Sequence, residues 1–321
     1  MPTPAPTIPP ESHLGLLAPV ELAKLASLAL RARTIVEGAL AGAHRNLHPG
    51  TSLEFTEHKE YAPGDDVRRI DWKAVARTDR YAIKRFEDET EMRMLLVLDT
   101  SASMGYRRAT VSKLEYASYL AGAMAYLVGQ QRDAAGLLAF DSESRAVLPP
   151  STRAGQVREV LTTLESLRAR GVADLGAALD TAARLCDKRS LILLFSDLLD
   201  TEETSPGEAA TGPLTERLRQ LRGRGHDVVI FHILDPDEIE LPFEDLMSFE
   251  GVEPGDGRTL LAEARELASA FREESVLFRQ RWRALGLEAR IEYRFARSDA
   301  PPAEILHPFL AERAGTPGGR T

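Results

Sequence analysis

Three oxygen-bearing side chains, Asp99, Ser101 and Ser103, come directly after the apolar run of residues 94–98. A short run of Leu and Val bounded by turn residues is typical of a buried strand in a parallel sheet. Ligand sites in such sheets lie just beyond the carboxyl ends of the strands. One carboxylate and two hydroxyls offer hard oxygen ligands to a small divalent cation such as Mg²⁺, which keeps several of its waters. The sequence therefore predicts a cation site, and no histidine lies nearby to activate a nucleophile.

Two stretches of the sequence carry a family resemblance. Asp99-Thr-Ser-Ala-Ser103 resembles the Asp-x-Ser-x-Ser signature of the metal-ion-dependent adhesion site in von Willebrand factor A-like domains. The stretch from Leu53 to Arg77, followed by Lys84-Arg-Phe86, is more particular and resembles the bacterial family called domain of unknown function 58. The resemblance covers residues 35–295. Because members of that family usually accompany a MoxR-type AAA+ ATPase, the resemblance implies such an ATPase as the partner of this chain.

A second acidic strand end is predicted at Asp197, after the apolar run of residues 191–195. In von Willebrand factor A-like domains the matching aspartate holds the cation through a water. The resemblance therefore implies that Asp197 shares the Mg²⁺ site with Asp99, Ser101 and Ser103. An incomplete cation shell of this kind is completed by a carboxylate from a partner, here a client protein.

The sequence departs from the family pattern at one expected ligand. A threonine normally comes from the loop before a helix, but Arg170-Gly-Val-Ala-Asp-Leu175 places Ala173 at that position. We expect Asp174, a further water or no ligand at all to take its place, so the alanine weakens the site. In the alternative interpretation, the serine hydroxyls satisfy backbone donors at a loop entrance and the aspartates hold no ion.

Composition excludes several classes of function. The net charge of −9 and the pI near 5.4 argue against a nucleic-acid footprint, which needs concentrated Lys and Arg. The lone Cys186 permits no internal disulfide framework. No stretch has the length of an apolar membrane span, and the start Met1-Pro-Thr-Pro lacks the features of a signal peptide. We therefore expect a cytoplasmic protein without a membrane span.

Alternating strand and helix patterns predict an α/β fold with a doubly wound, mostly parallel, Rossmann-like sheet, of the von Willebrand factor A type that the resemblance implies. The predicted strands of this sheet are 94–98, 134–140, a short antiparallel edge at 146–148, 191–195 and 228–234. The predicted helices are 19–44, 112–131, 154–167, 174–186 and 214–222. Ser112 and Glu115 have the spacing of a capping box at the start of one of them. Beyond residue 240 a hairpin (246–252 and 258–260), a long helix (261–285) and a strand (289–295) follow.

These patterns divide the chain into five parts. Residues 1–14 are a disordered Pro-rich tail, residues 15–90 are an N-terminal α+β extension specific to the family, and residues 91–240 are the von Willebrand factor A-like domain. Residues 241–300 add the hairpin, long helix and strand to the same domain. Residues 301–321 are a tail that contains the amphipathic segment 303–314.

The leading hypothesis for function is a non-catalytic protein-interaction module. By the resemblance, it acts as an adaptor or substrate-recruiting partner of a MoxR-type ATPase in the assembly or maturation of a client protein. The chain has neither a Walker phosphate loop nor a GxGxxG motif, so ATP energy must come from the partner. One alternative is a metal-dependent phosphoester hydrolase in which Asp99 and Asp197 position Mg²⁺. A second is a structural scaffold whose metal site has decayed.

Overall fold

The computed structural model describes residues 17–46, 58–60, 82–84, 92–108, 111–199, 212–251, 257 and 259–314. The chain forms two compact units, residues 46–91 and the remainder. The described part of the smaller unit is a pair of antiparallel strands, β1 (His58–Glu60) and β2 (Ala82–Lys84). The predicted Pro-rich tail, the Tyr61–Arg77 segment and the loop at 201–211 lie outside the described residues.

The larger unit alternates strands and helices. Its described strands are β3 (Arg93–Asp99), β4 (Ala134–Phe140), β5 (Ser144–Ser151), β6 (Leu191–Ser196), β7 (Asp227–Leu234), β8 (Leu246–Glu250), β9 (Thr259–Glu263) and β10 (Glu292–Arg297). Its described helices are α1 (Pro19–Leu22), α2 (Leu28–Asn46), α3 (Lys113–Gln130), α4 (Gln156–Ser166), α5 (Leu175–Leu185), α6 (Pro213–Gly223), α7 (Asp237–Glu240), α8 (Ala264–Ala289) and α9 (Pro302–Ala314).

Six of these strands form one sheet in the order β10-β7-β6-β3-β4-β5. All neighbours are parallel except β5, which runs antiparallel to β4 at the edge. Counted along the chain within this sheet, the order is 3-2-1-4-5-6, that of a doubly wound fold. The predicted fold class is therefore confirmed. The strand order reverses between β3 and β6, and a crevice at such a switch point is where ligands bind in this architecture.

Helices cover both faces of the sheet because successive strand side chains point to opposite sides. Met94, Leu96 and Leu98 of β3 belong to one apolar layer with α2, α3, α4 and α9. Leu95 and Val97 belong to a second layer with α5, α6 and α8. Each fully buried Leu contributes about 1.5–3 kcal/mol. The central strand is thus fixed from both sides, and its end is a rigid position for a side chain.

The N-terminal helix differs from its prediction. The chain breaks at residues 23–27 into α1 and α2, and the guanidinium of Arg31 donates to the carbonyls of Ala23 and Leu25 at the break. Helix α2 restarts at Leu28 and packs one of its faces in the first apolar layer. Its exposed residues include Ala29 and Leu40. The buried ones are Leu28, Ala32, Ile35, Val36 and Ala39.

The C-terminal elements complete the main sheet. Helix α8 continues to Ala289, so β10 begins at Glu292, later than predicted, and pairs in parallel with β7. Strands β8 and β9 form the predicted hairpin. Helix α9 corresponds to the amphipathic segment and buries Leu306 and Phe309 in the first apolar layer. Within the described ranges, none of the helices combines the length and apolar character that a membrane crossing requires.

Candidate functional site at the carboxyl edge of the sheet

Two acidic side chains lie at the switch point of the sheet. Asp99 is the last residue of β3, and Asp197 directly follows β6, the neighbouring parallel strand. Both are almost wholly shut off from solvent, with exposed fractions of 0% and 1%. We call this region, formed by the residues that follow the carboxyl ends of β3, β6 and β7, the carboxyl edge.

Hydroxyl groups tie the two aspartates together. The backbone N–H of Ser101 donates to Asp99 Oδ1 at 2.8 Å, and the hydroxyl of Ser196 donates to Asp99 Oδ2 at 2.6 Å. Ser101 Oγ and Ser103 Oγ are 3.1 Å apart, and the Ser103 side chain hydrogen-bonds Asp197. A short 3₁₀ turn over Ala102–Gly105 holds both serines in place. The structure thus brings four of the five predicted ligands, Asp99, Ser101, Ser103 and Asp197, into one cluster.

Asp99 has no cation of the protein within hydrogen-bond reach among the described residues. Burial, followed by the nearby charge of Asp197, raises the pKa of Asp99 from 3.8 to about 7. The hydrogen bonds from Ser196 and Ser101 act in the opposite direction and do not overcome these effects. The Asp99 carboxyl therefore holds a proton in a large fraction of molecules near neutral pH.

Asp197 has a partner that the sequence did not predict. The ammonium of Lys113, whose side chain is fully buried, lies 2.6 Å from Asp197 Oδ2 and 2.5 Å from Glu238 Oε1. Burial by itself would raise the pKa of Asp197, but the Lys113 ammonium outweighs burial and lowers it below its ordinary value. Asp197 is thus an ionised carboxylate that shares the Lys113 ammonium with Glu238, whereas Asp99 has no ammonium or guanidinium within hydrogen-bond reach among the described residues.

One feature of the local sequence could have identified Lys113 as a residue of the site. The predicted capping box is confirmed, since Ser112 accepts from the N–H of Glu115 and the Glu115 carboxylate accepts from the N–H of Ser112. Lys113 is therefore the first residue of α3. A cation is unfavourable at that end of a helix because the helix dipole is positive there. Glu238 gave no such signal.

The fifth predicted ligand has another role. Asp174 is the N-cap of α5, where its Oδ1 accepts from the N–H of Ala177 at 2.7 Å. Ala173 is buried in the second apolar layer and carries no side-chain oxygen. The loop that contains both residues is fastened to the residues after β3, because Arg170 N donates to the Thr100 carbonyl at 2.8 Å and Ala102 N donates to the Gly171 carbonyl at 2.9 Å.

The donor set does not complete a Mg²⁺ shell. Mg²⁺ requires near-ideal octahedral coordination with several waters. Asp99, Ser101 and Ser103 converge, but they are at most 5% exposed and leave little room for waters. The facing carboxylate, Asp197, is occupied by Lys113, and Asp174 caps a helix. In the described part of the chain, no group of three or more His, Cys, Asp or Glu side chains is arranged to hold a metal ion.

Gly171 allows the 170–174 loop to reach the edge, and replacing it should be costly. Its φ of +73° is left-handed, and an added Cβ would lie 2.9 Å from Asp141 Oδ2. We expect Gly171→Ala to lower the free energy of unfolding by about 2 kcal/mol or more, measured by urea denaturation. Gly223→Ala, at the end of α6 with open space around it, is the matched control and should change stability by less than about 1 kcal/mol. Equal effects of the two substitutions would contradict this account of the loop.

His232 lies beside the carboxyl edge, but its side chain is buried, so a substrate cannot reach it. It is opposite Ser196 in the pairing of β7 with β6, it is fully buried, and its Nδ1 is 2.7 Å from the Tyr293 hydroxyl. Burial lowers its pKa to about 3, so the ring is neutral at physiological pH. His232 therefore packs in the strand layer as an ordinary strand residue.

Comparison with known proteins identifies the family. The model of the family described as "Protein of unknown function DUF58" matches residues 57–280. An uncharacterized protein of Mycobacterium bovis and one of Mycobacterium tuberculosis are each 31% identical over 245 residues, covering 74% of this chain and 73% of theirs. These matches confirm the resemblance drawn from the stretch between Leu53 and Phe86.

Solved structures with a similar arrangement include BatB of Bacteroides thetaiotaomicron, at 16% identity and a TM-score of 0.47 over 70% of this chain and 100% of BatB. An aerotolerance-related membrane protein of Bacteroides fragilis has 19% identity and a TM-score of 0.46 over 69% of this chain and 99% of its own. The VWA domain of SpRpn10 has 11% identity and a TM-score of 0.37, with coverages of 67% and 93%. On the family match and the mycobacterial relatives, this chain belongs to the DUF58 family.

Proposed function

We propose that this chain is a non-catalytic protein-interaction module that docks partners at its carboxyl edge. In this proposal it acts as an adaptor or substrate-recruiting partner of a MoxR-type AAA+ ATPase in the assembly or maturation of a client protein. The main support for the proposal is that the acidic groups of the edge are shut off from solvent. These groups, Asp99 and Asp197, are buried and bonded to the protein itself, while Arg107, Arg170 and Leu199, farther along the loops of the edge, are exposed.

The exposed residues around the buried cluster are suited to contact with another protein. Arg107, Arg108 and Arg170 are exposed, and Leu199 is 47% exposed. Leu198 has a left-handed backbone (φ +58°), which buries its own side chain and turns the chain so that Leu199 faces solvent. An exposed leucine supplies apolar contact area and the arginines supply polar contacts, and arginine is enriched at protein interfaces. Arg107 and Arg170 favour a partner segment that carries carboxylates, whereas Arg108 is already paired with Asp237 at 2.7 Å.

The burial of the acidic groups at the edge gives no support to the hypothesis of phosphoester hydrolysis. A general base must come within hydrogen-bond distance of the proton that it removes. Asp99, Asp197 and His232 are each at most 1% exposed, so a substrate cannot reach them without a rearrangement of the edge. Turnover of a generic phosphoester by the purified protein, lost in Asp99→Ala, would restore the hydrolase hypothesis.

The ATPase partner enters the proposal through the family resemblance. An adaptor that binds both an ATPase and a client confines ATP hydrolysis to the partner. This division fits a chain whose sequence has no phosphate-binding loop. In this proposal the ATPase docks at the edge through a segment whose carboxylates pair with Arg107 and Arg170.

The test is binding between this chain and the purified MoxR-type ATPase of the same organism, measured by isothermal titration calorimetry. We expect Leu199→Arg and Arg170→Glu each to weaken binding by about 10-fold or more, since truncating or reversing a central interface residue costs on the order of 1–2 kcal/mol. Leu287→Arg is the control. Leu287 is 79% exposed and lies just before β10, at the opposite edge of the sheet, so this substitution should leave the affinity unchanged. No binding by the unsubstituted chain, or equal effects of all three substitutions, would refute the proposal.

The same assay distinguishes two ways in which the edge could hold a partner. Docking through Mg²⁺ at Asp99, Ser101 and Ser103 predicts that EDTA abolishes binding and that the double variant Ser101→Ala, Ser103→Ala abolishes it too. A scaffold with a decayed metal site predicts that binding survives both treatments.

A further inference from the structure

Lys113 occupies an unusual position for a cation. Its side chain is fully buried at the first residue of α3, where the helix dipole opposes a positive charge. Burial by itself would lower its pKa, but Asp197 and Glu238 outweigh burial and keep the pKa above its ordinary value. The ammonium is therefore charged, and contact with these two carboxylates is what makes its burial tolerable.

The two carboxylates that hold Lys113 come from different strand ends. Asp197 follows β6, and its other oxygen accepts from the N–H of Leu199 at 3.2 Å. Glu238 lies in α7, after β7, and its second oxygen accepts from the N–H of Asp235 at 2.8 Å. Ser103, after β3, also hydrogen-bonds Asp197. Lys113 thus connects the segments after β3, β6 and β7, as a shared metal ion would connect them.

Direct ligation of Asp197 by a second cation would compete with Lys113. Asp197 Oδ2 is already 2.6 Å from the ammonium, and no solvent reaches the pair. A divalent ion placed among Asp99, Ser101 and Ser103 would be close to a positive charge that cannot move into water. The ammonium therefore excludes a divalent ion from Asp197 Oδ2 by occupying that oxygen, and not by net repulsion, since the carboxylates of Asp197 and Glu238 outweigh its single charge.

We propose that the Lys113 ammonium is a resident cation that takes the role of Mg²⁺ at the carboxyl edge, so that the edge keeps its shape without a divalent ion. This role of Lys113 does not depend on the proposed function. Only its consequence, that partners dock at the edge without a divalent ion, rests on the proposed function. The arrangement explains why the chain tolerates alanine at position 173, where the family pattern has a threonine ligand. The edge does not need that ligand when the cation is covalently part of the chain.

The test uses the full chain and needs no partner. We expect the thermal midpoint of the unsubstituted protein to be the same in EDTA and in millimolar Mg²⁺, and electron paramagnetic resonance to show added Mn²⁺ as the free ion. Lys113→Ala should lower the midpoint by roughly 10 °C, because the buried Asp197 and the partly buried Glu238 lose their cation. The same variant should gain Mn²⁺ binding, and the ion should restore several degrees of the loss. Lys188→Ala, which removes an exposed lysine, should show none of these changes.

If Lys113→Ala does not fold, the pair Lys113→Ala, Glu238→Gln removes one of the two unpaired charges and should show the same gain of Mn²⁺ binding. Mn²⁺ binding by the unsubstituted protein that is lost in Ser101→Ala, Ser103→Ala would overturn the proposal. Absence of Mn²⁺ binding in every protein would also overturn it, because the ammonium would then not occupy a cation position. Partner binding that persists in EDTA is expected, whereas no partner binding at all would refute the proposed function and leave this inference intact.

Discussion

Lys113→Met is expected to lower the free energy of unfolding by about 3–5 kcal/mol, the usual cost of removing one partner of a buried ion pair. The buried Asp197 and the partly buried Glu238 would remain without their ammonium, which lies 2.6 Å from Asp197 and 2.5 Å from Glu238. Methionine matches the shape of the lysine stem, so the loss reports the charge more than a cavity. Urea denaturation followed by circular dichroism measures the change. Domains are commonly stable by only 5–15 kcal/mol, so the effect would be evident as a large shift of the midpoint.

Two further variants test whether the stability loss in Lys113→Met comes from the missing buried charge or from another cause. Lys188→Met removes an exposed lysine and should change stability by less than about 0.5 kcal/mol. The triple variant Lys113→Met, Asp197→Asn, Glu238→Gln leaves no unpaired charge and should recover a large share of the loss. A triple variant as unstable as Lys113→Met would mean that the stem of the lysine, not its ammonium, stabilises the edge.

Asp99→Asn is expected to stabilise the protein at pH 8 by about 2–4 kcal/mol. The pKa of Asp99 is raised to about 7 in the folded chain, against 3.8 as its ordinary value. Between these two pH values the folded chain binds more protons than the unfolded chain, so stability falls as pH rises through this window. Above pH 7 the full cost of burying the carboxylate is present, at about 1.4 kcal/mol for each pKa unit. An amide avoids that cost and can still accept from Ser101 and bond Ser196.

The pH dependence is the specific signature of this prediction. The gain from Asp99→Asn should disappear below about pH 4, where both folded and unfolded chains carry a protonated Asp99. Asp245→Asn, at an exposed carboxylate, should give no gain at either pH. Destabilisation by Asp99→Asn at pH 8, with a larger loss when Mg²⁺ is present, would instead indicate that Asp99 is an ionised ligand of a bound cation.

If Asp99→Asn stabilises the protein as expected, the carboxyl at this position is more easily explained by function than by folding. Stabilising substitutions are common at positions where activity requires a costly group. The strained backbone of Leu198, two residues after the end of β6, belongs to the same pattern, since strain tends to collect at binding sites. Both features lie at the carboxyl edge, and both are consistent with the docking role proposed for it.

The sequence by itself determined the elements whose signals are local. The apolar run before Asp99 predicted β3, and the spacing of Ser112 and Glu115 predicted the start of α3. Strand ends in a parallel sheet meet at one edge, so the grouping of Asp99 with Asp197 also followed from the order of strands and helices. Each of these inferences needs only neighbours in the chain or the general geometry of a doubly wound sheet.

Only the tertiary structure decided what the edge contains. Lys113 meets Asp197 and Glu238 across 84 and 125 residues of chain, and no spacing rule connects side chains so far apart. The break between α1 and α2 likewise depends on Arg31 reaching back to carbonyls that a continuous helix would have used itself. Periodicity finds the faces of elements because backbone geometry repeats along the chain. Charge pairing in the interior depends on which side chains the packed elements place within about 3 Å of each other, and that is a property of the whole fold.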